Sequence, residues 1–102
     1  MNRGEIYDVQ LPEGPRPAVV ITRDRAIPIL ANVSIAGVTR TARGLPTEVR
    51  LGREHGVDEG CVVNCDNLFT LPKRVLGRRR GTLDRQALEE LTSALRIALD
   101  LN

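Results

Sequence analysis

A chain of 102 residues with one Tyr, one Phe and no Trp supports one modest core, and a domain of that size gains from burying further surface against a second copy. It holds no run of ~18 apolar residues that could span a membrane and opens without the apolar stretch of a secretory signal, so a cytoplasmic protein is expected. Net charge is only +2, but residues 1–83 carry +4 and residues 84–102 carry −2, and every basic residue except Lys73 is arginine, which permits an anionic partner without requiring one.

Glu5 to Leu11 alternates polar and apolar residues, the pattern of a half-buried strand. Pro12-Glu13-Gly14-Pro15 reads as a turn. Arg16 stands between Pro15 and Pro17, whose fixed φ and steric demand hold its backbone extended. A rigid arginine at a strand entrance can clamp a phosphate and stabilise charge that develops on it, although a surface arginine covering a turn has the same local sequence. Ala18 to Thr22 is apolar and β-branched, a central strand. Arg23 to Pro28 is a loop or short turn, and Asn32 to Thr39 alternates again.

Arg40 to Leu45 forms an arginine-bearing loop closed by Gly44. Thr39, Arg40, Thr41 and Arg43 gather hydroxyls and guanidiniums as a phosphate-binding edge does, and as an ordinary solvated loop also can. Thr47 to Leu51 alternates with Val49 and Leu51 inward. His55, in Arg53-Glu54-His55-Gly56, reads as part of an exposed loop. Cys61 to Cys65 is a buried strand, and extended geometry puts its two thiols on one face with Cα atoms ~13 Å apart, too far for a disulfide. Two cysteines and one histidine without ligand spacing give no zinc site. Asp66, just after that strand, is either a general base or a turn-forming side chain.

Leu68 to Leu71 and Val75 to Arg78 are shorter strands flanking Pro72, and Arg78-Arg79-Arg80 reads as a solvated run. The period then changes. Leu88, Leu91, Leu95 and Ala98 or Leu99 recur at helical spacing behind Asp84, a fitting N-cap. Short strands followed by one helix predict a small antiparallel barrel or twisted sheet with a helix packed on it, as a single domain over residues 1–102. The chain contains no phosphate-binding P-loop, no HExxH and no nucleophile elbow, and too few aromatics for a base-stacking platform.

Four segments, in order, resemble the MazF/PemK family of toxin–antitoxin endoribonucleases. They are Arg3-Gly4-Glu5-Ile6-Tyr7; Arg16-Pro17-Ala18-Val19-Val20-Ile21-Thr22; Val38-Thr39 followed by Leu45-Pro46-Thr47-Glu48-Val49; and Cys65-Asp66-Asn67 with Thr70, Lys73 and Gly81. The short first turn and the Cys65-Asp66-Asn67 variant are most similar to mycobacterial-type members. The resemblance implies an SH3-like barrel with a C-terminal helix, a homodimer, and cleavage of single-stranded RNA with neither metal nor cofactor. In that chemistry the RNA's 2′-hydroxyl attacks the adjacent phosphorus and leaves a 2′,3′-cyclic phosphate.

The resemblance also places Arg16 and Thr39 as catalytic, with Asp66 at an acidic position that some members use. With RNA as the ligand, contacts are expected from Arg23, Arg25, Arg40, Thr41, Arg43, Asn64 and Asn67. The implied protein partner is an antitoxin with an acidic, partly disordered segment, together with which the toxin binds DNA. Three departures stand out: the first turn lacks a histidine, Asn64 replaces an arginine of one branch, and Gly37 replaces a frequent proline. The same barrel serves CcdB-type toxins, which poison gyrase, and a noncatalytic SH3-like binding module is a third reading.

Overall fold

The computed structural model describes residues 1–12 and 14–102, and the side chain of Leu11 is outside the description. Six strands are formed: β1 (Glu5–Leu11), β2 (Gly14–Val20), β3 (Asn32–Thr39), β4 (Glu48–Arg50), β5 (Val62–Pro72) and β6 (Leu76–Thr82), followed by helix α1 (Arg85–Ala98). All neighbours pair antiparallel in the order β4-β5-β3-β2-β1-β6, and among the described residues the ladder runs open between its β4 and β6 edges. The mainly β architecture with a terminal helix is as expected. No helix is long and apolar enough to cross a membrane.

Alternation divides the sheet into two faces. One carries Ile6, Val19, Ala36, Val49, Val63 and Cys65, and packs with Leu83, Ala87, Leu91 and Ala94 of the helix region into the main core. The helix periodicity holds, with Leu91 fully buried and Leu88 and Leu95 partly so, and the Asp84 carboxylate caps α1 by accepting the Ala87 N–H at 2.8 Å. The opposite face carries two smaller apolar clusters, Val9 with Ala18 and Ile35, and Val20 with Ile27 and Val33. That second face holds the residues of functional interest.

Several elements differ from expectation, each for a physical reason. β2 begins at Gly14 rather than Ala18 and so contains both prolines. Ile21 donates to Ser34 of β3 whereas Val20 accepts from Gly4, so the odd-numbered N–H positions of β2 face β3. Pairing with β3 stops at Ala18↔Gly37, so the missing N–H groups of Pro15 and Pro17 fall where no strand needs them. Of the expected turn Pro12 to Pro15, Gly14 and Pro15 belong to β2, and Glu13 lies outside the described residues. Cys61–Cys65 and Leu68–Leu71 belong largely to one strand, β5, interrupted by a bulge. Cys61 and Cys65 are free and buried. Burial, with the Asp66 charge behind it, pushes the Cys65 thiol up to about 11.

His55 is buried rather than in an exposed loop. It ends a short 3-10 turn (Arg53–His55), its Nδ1 accepts the Gly52 N–H at 3.2 Å, and its Nε2 lies 3.8 Å from an Asp84 carboxylate oxygen. Arg79 and Arg80 are not freely solvated: Arg79 donates to Glu5 at 2.8 Å and Arg80 to Asp8 at 3.0 Å.

Glu5 is itself buried in the strand it opens. Burial alone would raise its pKa, but donors from Arg79, the Asn2 N–H and the Tyr7 hydroxyl outweigh it and hold the carboxyl below its ordinary 4.5. A depressed carboxylate contributes stability that is full above pH 4.5 and is lost as pH falls through its lowered value. Glu5→Gln should therefore be less stable than the parent at neutral pH and should flatten the fall in unfolding free energy below pH 4.5. Parallel acid limbs in the two proteins would show that Glu5 carries none of it.

Candidate active site

Arg16 and Thr39 lie on the sheet face opposite the helix, with Ala18 and Ile35. The last β2–β3 pair is Ala18↔Gly37, and two further steps of that register would set Arg16 against Thr39. Instead the strands part there, and a groove opens between them. It consists of two joined cavities of about 420 and 440 Å³, and Arg16, Pro17, Val38, Thr39 and Thr41 line both. The two candidate catalytic side chains therefore stand where the halves of the groove meet.

The first half has an apolar floor of Val9, Ala18, Ile35 and Leu71 and a rim of Arg43, Glu48, Asn64, Asn67 and Phe69. The second half is polar and includes Arg40, Asp58 and Arg80. A bulge in β5 builds the rim. Ala36 pairs with Leu68 but Gly37 pairs with Asn64, so Cys65, Asp66 and Asn67 stand out of register. Asn67 then lies across Gly37: a Cβ on Gly37 would be 3.0 Å from the Asn67 amide nitrogen. A side chain at position 37 would need the Asn67 amide to give by a few tenths of an ångström. Asn64 spends its carbonyl on the Asp66 N–H at 3.0 Å, which leaves its amide nitrogen for a ligand.

The loop from Arg40 to Thr47 closes the groove and is tied at several points. Thr41 N–H donates to Thr39 Oγ1 at 3.2 Å, and Arg40 is paired with Asp58 at 2.6 Å, both side chains being largely exposed. Buried Thr47 donates from Oγ1 to Asp66 at 2.6 Å and accepts the Cys65 N–H at 3.0 Å. Among the described residues, Arg40, Arg79 and Arg80 have carboxylate partners and Arg16 has none.

Of the residues singled out in the sequence, Arg16, Thr39, Thr41, Arg43, Asn64 and Asn67 converge on the first half of the groove, and Arg40 joins the second. Asp66 lines neither half; its carboxylate is turned to Thr47. Arg23 and Arg25 are exposed on the turn before β3, also outside the groove. Sequence reasoning missed Glu48, Phe69 and Arg80. The alternation that puts Val49 in the core puts Glu48 on the groove face, a signal available beforehand. Nothing in the run Arg78-Arg79-Arg80 says which arginine reaches a cavity. The groove thus offers guanidiniums, hydroxyls and side-chain amides around an apolar pocket. Phosphates and unstacked nucleobases make complementary demands.

Comparison with known proteins agrees with this chemistry. Residues 2–99 match the family model described as PemK-like, MazF-like toxin of type II toxin–antitoxin system. The chain is 40% identical over 97 residues to the probable endoribonuclease MazF2 of Mycobacterium tuberculosis, covering 94% of this chain and 95% of that one. The solved structure of the Mycobacterium tuberculosis toxin MazF-mt6 superposes with a TM-score of 0.89 at 39% identity, over 96% of this chain and 98% of that one. An endoribonuclease from a mycobacterial species, solved in complex with its cognate antitoxin, superposes with a TM-score of 0.91 at 29% identity, over 100% and 97% of the two chains.

Proposed function

Because the chain belongs to the PemK-like, MazF-like toxins of type II toxin–antitoxin systems, we propose that it cuts single-stranded RNA in the groove between β2 and β3, with Arg16 and Thr39 at the reacting phosphate. It is an endoribonuclease of that family. The observation that carries the site is the meeting of Arg16 and Thr39 where the two halves of the groove join. A phosphate there has an apolar, amide-rimmed pocket on one side for an unstacked base. On the other side lies a polar cavity, with Arg40 and Arg80 in its lining, for the continuing backbone.

The reaction needs no group beyond side chains. The 2′-hydroxyl oxygen bonds to phosphorus and gives up its proton, the bond to the 5′-oxygen breaks, and that oxygen takes a proton. The products are a 2′,3′-cyclic phosphate and a 5′-hydroxyl. Arg16, rigid and without a carboxylate partner among the described residues, stabilises the charge on the non-bridging oxygens. The Thr39 hydroxyl donates to the same oxygens. Arg40, Thr41, Arg43, Asn64 and Asn67 hold the strand in the groove. Arg23 and Arg25 meet it only beyond the groove. Asp66 contributes as the acidic member of the site, through its bond to Thr47.

Two partners complete the reading. One is an antitoxin, supported by the antitoxin-bound relative, whose acidic segment would cover the groove arginines. The other is a second copy of the chain, supported by the exposed apolar side chains Ile97, Leu99 and Leu101 at the end of the helix.

Incubating the purified protein with RNA in EDTA tests the central claim. Fragments ending in 2′,3′-cyclic phosphate are expected, from a species whose light-scattering mass is twice 11.2 kDa. Intact RNA in EDTA and in magnesium alike would remove the assignment, and cleavage only in magnesium would remove the metal-free chemistry. A gyrase-poisoning toxin of the same fold would leave the RNA whole.

A further inference from the structure

We propose that Glu48 is a positioning residue for RNA cleavage, fastening the segment 43–45 so that Thr41 and Arg43 are held over the groove. The inference rests on the RNA-cleaving reading of the groove and names a residue that this reading does not use. Glu48 contributes the carboxylate on the rim of the first half of the groove. Its Oε1 accepts the Arg43 N–H at 3.0 Å and the Leu45 N–H at 3.1 Å, and its Oε2 lies 3.1 Å from the same Arg43 nitrogen. Gly44 between them has φ +72°, the left-handed conformation that glycine adopts without strain and that turns two alternate N–H groups toward one acceptor. The Glu48 N–H donates back to the Leu45 carbonyl at 3.1 Å and closes the turn through Pro46.

The anchor is firm where the segment is not. Glu48 pairs with Asn64 of β5, and its neighbour Val49 sits in the main core. Residues 41–46 are exposed and have no regular hydrogen-bonded structure of their own. The segment is tied before residue 43 by Thr41 to Thr39 and after residue 45 by Thr47 to Asp66. Among the described contacts, Glu48 alone holds the backbone between those points. Both carboxylate oxygens are engaged by backbone donors, an arrangement suited to holding a loop rather than to taking a substrate proton.

Two variants decide it, Glu48→Ala and Glu48→Gln, each measured for kcat, KM, the pH–rate profile and the rate of tryptic cleavage after Arg43. Glu48→Ala should lower kcat by about 10²-fold, the scale of a misplacement near 1 Å, and should speed tryptic cleavage. Its melting temperature should stay close to the parent's, because residues 41–46 lie outside the core. Glu48→Gln keeps one acceptor oxygen and should recover most of kcat with both limbs of the pH profile in place. If Glu48→Gln is as inactive as Glu48→Ala and loses the acid limb, Glu48 transfers a proton and the proposal is wrong. Parental kcat in Glu48→Ala overturns it too, as does tighter RNA binding with unchanged kcat, which would mean that the carboxylate sits in a phosphate's place. If the parent itself leaves RNA intact, the RNA reading fails, whereas an unchanged tryptic rate in Glu48→Ala is a failure of the clamp alone.

Discussion

Arg16→Ala is expected to slow RNA cleavage by about 10²–10³-fold while leaving the fold intact, the usual cost of removing one preorganised group aimed at developing charge. Arg16 is exposed, so its side chain contributes little to packing. Its backbone is fixed on one side by pairing with Val9 and in sequence by two prolines, so the guanidinium arrives with little left to organise. Arg16→Lys keeps the charge but loses the planar fork, and should recover only part of the rate. Single-turnover cleavage of a short RNA under saturating protein isolates the chemical step. A rate near the parent's in Arg16→Ala would take this residue out of the mechanism. Thr39→Ala should fall in the same direction, and Asp66→Asn less far, because Asp66 lines neither half of the groove and its carboxylate is turned to Thr47.

The second large effect concerns folding. Gly56→Ala should destabilise the protein by about 3 kcal/mol or more, since left-handed backbone strain and a steric clash add. Gly56 has φ +86°, and a Cβ there would stand 2.0 Å from the Arg80 carbonyl oxygen; a Cβ on Gly81 would stand 2.1 Å from the His55 carbonyl oxygen. Two backbone segments thus cross with no space for a side chain on either. The crossing seats buried His55 beside the Asp84 cap and holds β6 where Arg80 lines the groove. Urea unfolding measures the loss directly. A midpoint and slope equal to the parent's would mean that the crossing yields at no cost.

What the sequence made legible follows the range of the interaction involved. The helix was readable from the spacing of Leu88, Leu91 and Leu95 and from the Asp84 cap, all local signals. The strands were readable from alternation. The start of β2 was not, because proline reads as a strand breaker unless it is known which side of the strand lies unpaired. His55 looked exposed because nothing local announces that Gly81, far along the chain, admits a backbone against Gly56.

The site divides in the same way. The stiffness around Arg16 is written in its neighbours, and the resemblance named Thr39 beside it. That Asp66 turns to Thr47 depends on a bulge in β5 opposite Gly37, a matter of register between distant segments. Glu48 was readable in principle from the alternation that buries Val49, but its task depends on where residues 43 and 45 point.

The prolines of β2 also limit how a partner can attach. A sheet edge that offers alternating N–H and carbonyl groups invites an extended peptide to join as an extra strand. On the side of β2 that faces the groove, Pro15 and Pro17 offer carbonyls but no N–H donors. A peptide laid along this edge could not be recruited by β-augmentation. An occupant of the groove therefore gains no backbone donors from this edge of β2 and depends more on the side chains around it. The same two residues that stiffen Arg16 keep this edge from templating assembly of further copies strand to strand.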